Sequence, residues 1–249
     1  MPEVLTAYNL ETFPSLRHGF FTREWGGCGV SDKFDAKELA FNRARVAQHL
    51  GIAPQNLLSC YQTHSPDVVT VTEIWPAQQR PNADAMVTKM KGVALGILTA
   101  DCGPLLFADV GAGVIGAAHA GWRGALTGVI ENTIIAMEKL GARRTAIHVA
   151  LGACIGWKSY EVGPEFPAPF LAENPDYEKL FRPAFRSDHY MFDLPGYIEA
   201  KTRAAGVASF APAPADTCAD EARFFSYRRN TLRHISPTES LISVIVLEP

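Results

Sequence analysis

Three side chains carry the chemistry this sequence offers: His64 in YQTHSPDVV, Cys102 in ILTADCGPLLFAD and His119 in GAAHAGWRG. Each stands at the end of a short apolar run, just before turn-forming residues. One thiolate and two imidazoles are three of the four ligands of a tetrahedral zinc site, and a catalytic zinc keeps its fourth position open for water. Brought together, they make a metal-activated centre for hydrolysis or group transfer. Copper competes well for such ligands and is the alternative metal. Without a metal, Cys102 and His119 have the chemistry of a nucleophile and its base, as in a cysteine hydrolase or amidase.

The flanking residues say how the three must be held. Cys102 follows Asp101 and precedes Gly103 and Pro104, so it sits where a strand ends and the backbone breaks away. Gly121, two residues after His119, lets a ligand approach the backbone closely, and the helix expected next presents free N–H groups to an anion. Gln62 and His64, two apart on an expected strand, face the same side, which puts Gln62 within reach of a ligand or a water. Asp101 is a second residue able to orient a histidine or the water, or a strand-end turn former. Asp84 in NADAMVT reads as a turn residue or a pocket wall.

The elements around these blocks read as follows. Strands are expected at LRHGFFTR, LLSCYQ, DVVTVTEI, VALGILTAD, PLLFAD, VIGAAHA, TAIHVALG, FFSYRR and LISVIVL. A helix is expected over 35–50, with Asp35 as N-cap and Gly51 as its stop. A second places Leu126, Val129, Ile130, Ile134, Met137 and Leu140 on one face and ends at Gly141. A third, LPGYIEAKTRAAGV, has Pro195 near its first turn. EWGGCGVSD reads as a Gly-rich turn, APAPAD as a short rigid connector, and 173–192 as a surface excursion. Strands outnumber helices and often follow one another directly, which predicts one α+β domain over 1–249 rather than a βαβ alternation.

Composition narrows the function classes. The net charge is −3 with no basic run, which disfavours a phosphate footprint for nucleic acid. The apolar stretches are too short to span a bilayer, so no membrane partner is expected. The five cysteines are dispersed and form no CxxC. With no signal-like N-terminus, that pattern predicts reduced thiols and a cytoplasmic protein; a monomer or weak homodimer is expected.

Taken together, QTHSPDVV, ADAMVT, TADCGPLLFAD, AAHAGWRG, LGACIG with SYEVG, DTC and FFSYRR occur in an order that resembles the YfiH-like laccase-domain family, over residues 16 to 230. Members of that family have been called polyphenol oxidases and, later, purine nucleoside phosphorylases. The resemblance implies mixed β-sheets packed face to face and flanked by helices. It implies a zinc site at His64, Cys102 and His119. It further implies phosphorolysis of adenosine, inosine, guanosine and S-methyl-5′-thioadenosine, together with deamination of adenosine. Purine nucleosides and phosphate are therefore the expected partners. An arginine tied to activity in the family matches Arg43 in FNRARV, which is expected to serve phosphate or substrate rather than fold. A multicopper centre would need several H-x-H pairs, and the 7 histidines here form none; a copper-dependent polyphenol oxidase remains only as an alternative.

Phosphorolysis needs cationic groups for phosphate, and the arginine fork matches phosphate bidentately. Arg123, Arg228 and Arg229 join Arg43 as candidates. Phe20, Phe21, Tyr160 and Tyr227 are candidates for stacking a purine or for the core. The segment between HGFFTR and the Asn42–Arg43 pair is shorter than the family's. Asn230 to His234 stand where the family carries Thr-Gly-Arg, leaving Arg233 as a loose counterpart.

Overall fold

The computed structural model describes residues 2–29, 34–212 and 215–248. The later part of the expected Gly-rich turn and the middle of the APAPAD connector lie outside the described residues.

Two sheets dominate. The first runs in the order β1 (Val4–Leu5), β2 (Leu16–Phe21), β14 (Leu241–Leu247), β6 (Ala94–Thr99) and β3 (Leu57–Leu58). The second runs β13 (Ser209–Ala211), β9 (His148–Leu151), β7 (Gly103–Asp109), β8 (Val114–Ala120), β5 (Ala85–Thr88) and β4 (Val68–Thr70). Parallel and antiparallel pairs mix in both. A small third sheet has the order β10 (Glu161–Val162), β12 (Tyr190–Phe192) and β11 (Phe181–Pro183).

Period-two alternation builds the layers. Leu95, Ile97, Ile245 and Leu247 of the first sheet meet Met86, Leu106, Ile115 and Ala117 of the second, so the two sheets pack face to face. The opposite face of β14, with Ile242, Val244 and Val246, packs on Val46 and Ala47 of α2 (Ala36–His49). The outer face of the second sheet, with Leu105, Phe107 and Val149, packs on α4 (Val129–Lys139) and α6 (Leu194–Ala204). This is the expected α+β layering of face-to-face sheets flanked by helices. Among the described residues no helix is long and apolar enough to cross a membrane.

Several elements differ from the sequence reading, each for a local reason. FFSYRR is not a strand: Ser226 accepts the N–H of Arg229 at 3.1 Å and starts helix α7 (Tyr227–Leu232). A serine cap outweighs the β preference of the aromatic pair, and Phe224 and Phe225 are instead buried. The helix expected from Leu126 is two, α3 (Trp122–Thr127) and α4, because Gly128 sits at φ 103 between them. Strands at LLSCYQ and DVVTVTEI shrink to β3 and β4. The segment 173–192 is exposed along much of its length, as expected of a surface excursion, but Tyr177, Leu180 and Phe192 turn into the core. There Phe181 stacks on Phe192 at 4.9 Å, and both join Phe166 and Phe170 in one aromatic cluster. The short helices α1 (Tyr8–Glu11) and α5 (Ala168–Glu173) complete the chain.

Arg43 lies on α2, as expected, but its guanidinium is committed to the fold. Nη1 donates to the Cys28 carbonyl at 3.3 Å and Nη2 to the Leu57 carbonyl at 2.9 Å, joining the helix to β3 and to the preceding loop. Removing a donor from part-buried carbonyls costs about 1–3 kcal/mol. Arg43→Ala is therefore expected to lower Tm by several degrees in a calorimetric scan. An unchanged Tm with lost activity would assign Arg43 to substrate alone.

Candidate metal centre

The centre is assembled around one carboxylate. Strands β5 and β8 pair with Ala85 opposite Ala118, so Asp84 and His119 extend that ladder by one position. The His119 N–H donates to the Asp84 carbonyl at 2.7 Å, and the side chains also meet, His119 Nδ1 to Asp84 Oδ1 at 2.7 Å. The same carboxylate accepts the backbone N–H groups of Thr63, His64 and Ser65 at 3.0, 3.0 and 2.7 Å. The Ser65 hydroxyl adds a bond at 3.0 Å. Three successive amides converging on an anion form a tight turn, and within it His64 takes φ 61. His64 is thus on a turn, not on the expected strand. A non-glycine residue in that region is held there by its surroundings.

Cys102 comes from the short link that crosses between the sheets, from Thr99 at the end of β6 to Gly103 at the start of β7. The three ligand atoms of His64, Cys102 and His119 lie within 4.8 Å of one another. Cys102 Sγ stands 3.9 Å from His64 Nε2, and the two imidazoles meet edge to face with centroids 4.7 Å apart. Gly121 makes the approach possible: a Cβ there would lie 2.9 Å from Cys102 Sγ and 3.0 Å from His64 Cδ2.

The charges reinforce one another. Burial works against a charged Asp84, but the His119 hydrogen bond and the amides of Ser65 and Thr63 outweigh it and hold the carboxyl well below its usual range. An ionised Asp84 obliges His119 Nδ1 to carry a proton, which leaves Nε2 to the trio. Burial would raise the Cys102 thiol, yet the neighbouring charge of His119 and hydrogen bonds from both histidines bring it down, favouring the thiolate. His119 rises in concert, despite burial, through Cys102 and Asp84. Burial instead pushes the thiols of Cys28 and Cys60 up to about 11 and about 12. The donor set therefore fits a metal. It has a favoured thiolate, two imidazoles, and a carboxylate fixing the tautomer of one of them, which is the usual outer support of a metal-bound histidine. No fourth protein ligand joins the trio among the described residues, as suits an open catalytic position.

His64 and Cys102 face a cavity of about 360 Å³ walled by Trp122, Tyr160, Leu194, Tyr227 and Arg228. Arg228 is fixed at both ends. Its N–H donates to Asp101 at 2.6 Å, its Nη2 donates to the Glu161 carbonyl at 2.6 Å, and its guanidinium lies over the Tyr160 ring. Of the arginines singled out in the sequence, the structure brings only Arg228 to the cavity. Arg43 and Arg229 are tied to backbone carbonyls, Arg229 to those of Thr217, Cys218 and Phe224. Arg123 is exposed, its guanidinium over the Trp122 ring. Gln62 pairs with the backbone of Leu98 at 2.7 and 2.9 Å. Phe20 and Phe21 belong to the core. The carboxylate of Asp101 bonds Thr217 and Ser226, not a histidine. Two residues contribute more than their sequence context suggests. Asp84 is a lone acid opening an apolar strand, a signal in itself. Trp122 lies inside the HAGWRG block beside a ligand.

The family model for the multi-copper polyphenol oxidoreductase laccase matches residues 17–248, and the chain belongs to that family. A purine nucleoside phosphorylase of Deinococcus radiodurans is 39% identical over 227 residues, 87% of this chain and 85% of its own. The crystal structure of Neisseria meningitidis protein NMB0706 superposes with a TM-score of 0.86 at 29% identity, over 99% of each chain. That of the Bacillus licheniformis protein YfiH superposes with a TM-score of 0.88 at 22% identity, over 100% of this chain and 97% of its own, a likeness of fold.

Replacing the carboxylate behind His119 tests the arrangement. Asp84→Asn keeps the volume but loses the charge and one acceptor. Metal affinity, measured by competition with a chromophoric chelator, is expected to fall roughly 10–100-fold. Wild-type affinity in this variant would detach Asp84 from the centre.

Proposed function

We propose that this chain is a zinc-dependent purine nucleoside phosphorylase, acting on adenosine, inosine, guanosine and S-methyl-5′-thioadenosine, with a side activity of adenosine deamination. The observation that carries this reading is the His64–Cys102–His119 trio beside an aromatic cavity that also holds one fixed arginine. The phosphorylase name of the Deinococcus radiodurans relative supports the substrate class. The reading takes purine nucleosides and inorganic phosphate as partners, in a cytoplasmic, single-domain protein that is a monomer or weak homodimer. Copper is the alternative metal at the same ligands.

In phosphorolysis a phosphate oxygen attacks C1′ of the ribose, the C1′–N9 bond breaks, and the departing purine takes up a proton. Trp122, Tyr160 and Tyr227 offer faces for the purine and ribose to stack upon. The Arg228 guanidinium is held by the Glu161 carbonyl and the Tyr160 ring, so it can hold phosphate with little reorganisation. His64, Cys102 and His119 would hold zinc, which would supply Lewis acidity and make water more acidic, toward a pKa of about 7. Asp84 keeps the Nδ1 proton on His119 throughout. Deamination asks for activated water at the adenine C6 rather than phosphate at the sugar, so the two reactions share the cavity but lean on different groups.

A second reading is favoured by one observation. Cys102, His119 and Asp84 form a nucleophile, base and orienting carboxylate in series, with the thiolate favoured, which is the logic of a cysteine hydrolase or amidase. Iodoacetamide labelling of Cys102, mapped by mass spectrometry, separates the two. On the zinc reading labelling is slow until a chelator is added; equal rates with and without chelator favour the hydrolase.

The zinc reading also predicts products. Zinc-loaded protein with adenosine is expected to release adenine only when phosphate is present, and inosine with or without it. Arg228→Ala is expected to lose at least about tenfold in phosphorolysis, the loss of one charge-assisted contact, while retaining more of its deaminase rate. If neither product forms in the wild-type protein, the phosphorylase reading fails. Equal loss of both products in Arg228→Ala overturns the separate role of the arginine.

A further inference from the structure

Asp101 precedes a metal ligand by one residue yet takes no part in the trio. Its backbone sits at φ 91, a region that side-chain-bearing residues rarely adopt. Such strain persists only where the surroundings over-determine it. Here they do. The carboxylate accepts the Thr217 hydroxyl at 2.6 Å on Oδ1, and the Ser226 hydroxyl at 3.0 Å and the Arg228 N–H at 2.6 Å on Oδ2. The Asp101 carbonyl accepts the N–H of Ile155 at 2.8 Å.

Two of those donors belong to the start of α7. Ser226 is its N-cap, and Arg228 stands in its first turn. The helix has 6 residues, too few to be stable by itself, so its position depends on what holds its ends. It also supplies Tyr227, Arg228, Thr231 and Leu232 to the cavity wall. A single buried carboxylate thus ties the residue next to Cys102 to the helix that forms one wall of the cavity.

We propose that Asp101 is a positioning residue that couples metal loading at Cys102 to the order of α7. A metal that fixes the Cys102 thiolate fixes the peptide joining it to Asp101, and the stiff, strained turn passes that restraint to Ser226 and Arg228. The wall that carries Arg228 then settles when the trio is filled. By linkage, an ordered α7 strengthens metal binding by the same factor. This inference rests on the proposed metal loading and not on the nucleoside reaction.

Asp101→Gly removes the carboxylate and the backbone strain together, because glycine takes φ 91 freely. Hydrogen exchange of peptides covering 226–232 is followed in the full chain, stripped by chelator and then loaded with zinc alone, with zinc content measured in parallel. In the wild type, zinc is expected to slow exchange across α7 several-fold. In Asp101→Gly, zinc still binds but that slowing is lost. Asp101→Asn, whose amide donates to Thr217 while its oxygen still accepts from Arg228, is expected to restore most of it. Should Asp101→Gly fail to fold, Ser226→Ala carries the same test with a partial loss of the response. A helix α7 that ignores zinc in the wild type, or that still responds in Asp101→Gly, overturns the coupling. Failure of the wild type to bind zinc overturns both the coupling and the metal reading.

Discussion

A buried carboxylate in a protein interior must be matched donor by donor or it stays neutral. Asp84 is matched by the His119 ring and by the turn that carries His64. That requirement bends Thr63, His64 and Ser65 around one anion and sets the protonation of His119. It brings two of the three ligands to one point from segments far apart in sequence. The third, Cys102, arrives on the link between the two sheets, where a second aspartate, Asp101, holds the backbone from the other side. Two acids that do not themselves belong to the trio therefore define it.

The layered fold explains why this arrangement sits where it does. Strands β5, β7 and β8 end together, and β6 hands the chain from the first sheet to the second at the same end. The turn residues at such ends are released from ladder hydrogen bonding, so they are free to be shaped by side chains. The interior behind them is aliphatic and closely packed, which gives the site a rigid base. The aromatic cluster around Phe166, Phe170 and Phe192 lies beside Trp122 and Tyr160 and backs the cavity wall. The wall nearest solvent is the short helix α7, with Tyr227 and Leu232 largely exposed.

The convergence of His64, Cys102 and His119 was legible in the sequence because their chemistry is rare and their blocks end at glycine and proline breaks. The layering was legible from strand alternation, as in β14, whose odd and even residues face different cores. What was not legible depended on partners distant in the chain. Arginines look alike until their surroundings are known: Arg43, Arg228 and Arg229 all meet backbone carbonyls, and only Arg228 does so on the cavity wall. FFSYRR reads as a strand because aromatic residues favour strands, and only the serine cap with its Asp101 contact turns it into a helix. The left-handed turn at His64 could not be foreseen, since the carboxylate that stabilises it lies 20 residues away.

The proposed chemistry depends on His64, Cys102 and His119 holding a single metal ion together. Zinc K-edge X-ray absorption on protein loaded with a single equivalent of zinc tests it most directly. One sulfur at about 2.3 Å and two imidazole nitrogens at about 2.0–2.1 Å are expected, with a light atom completing the shell. A spectrum with no sulfur neighbour, or with more than one, would contradict it.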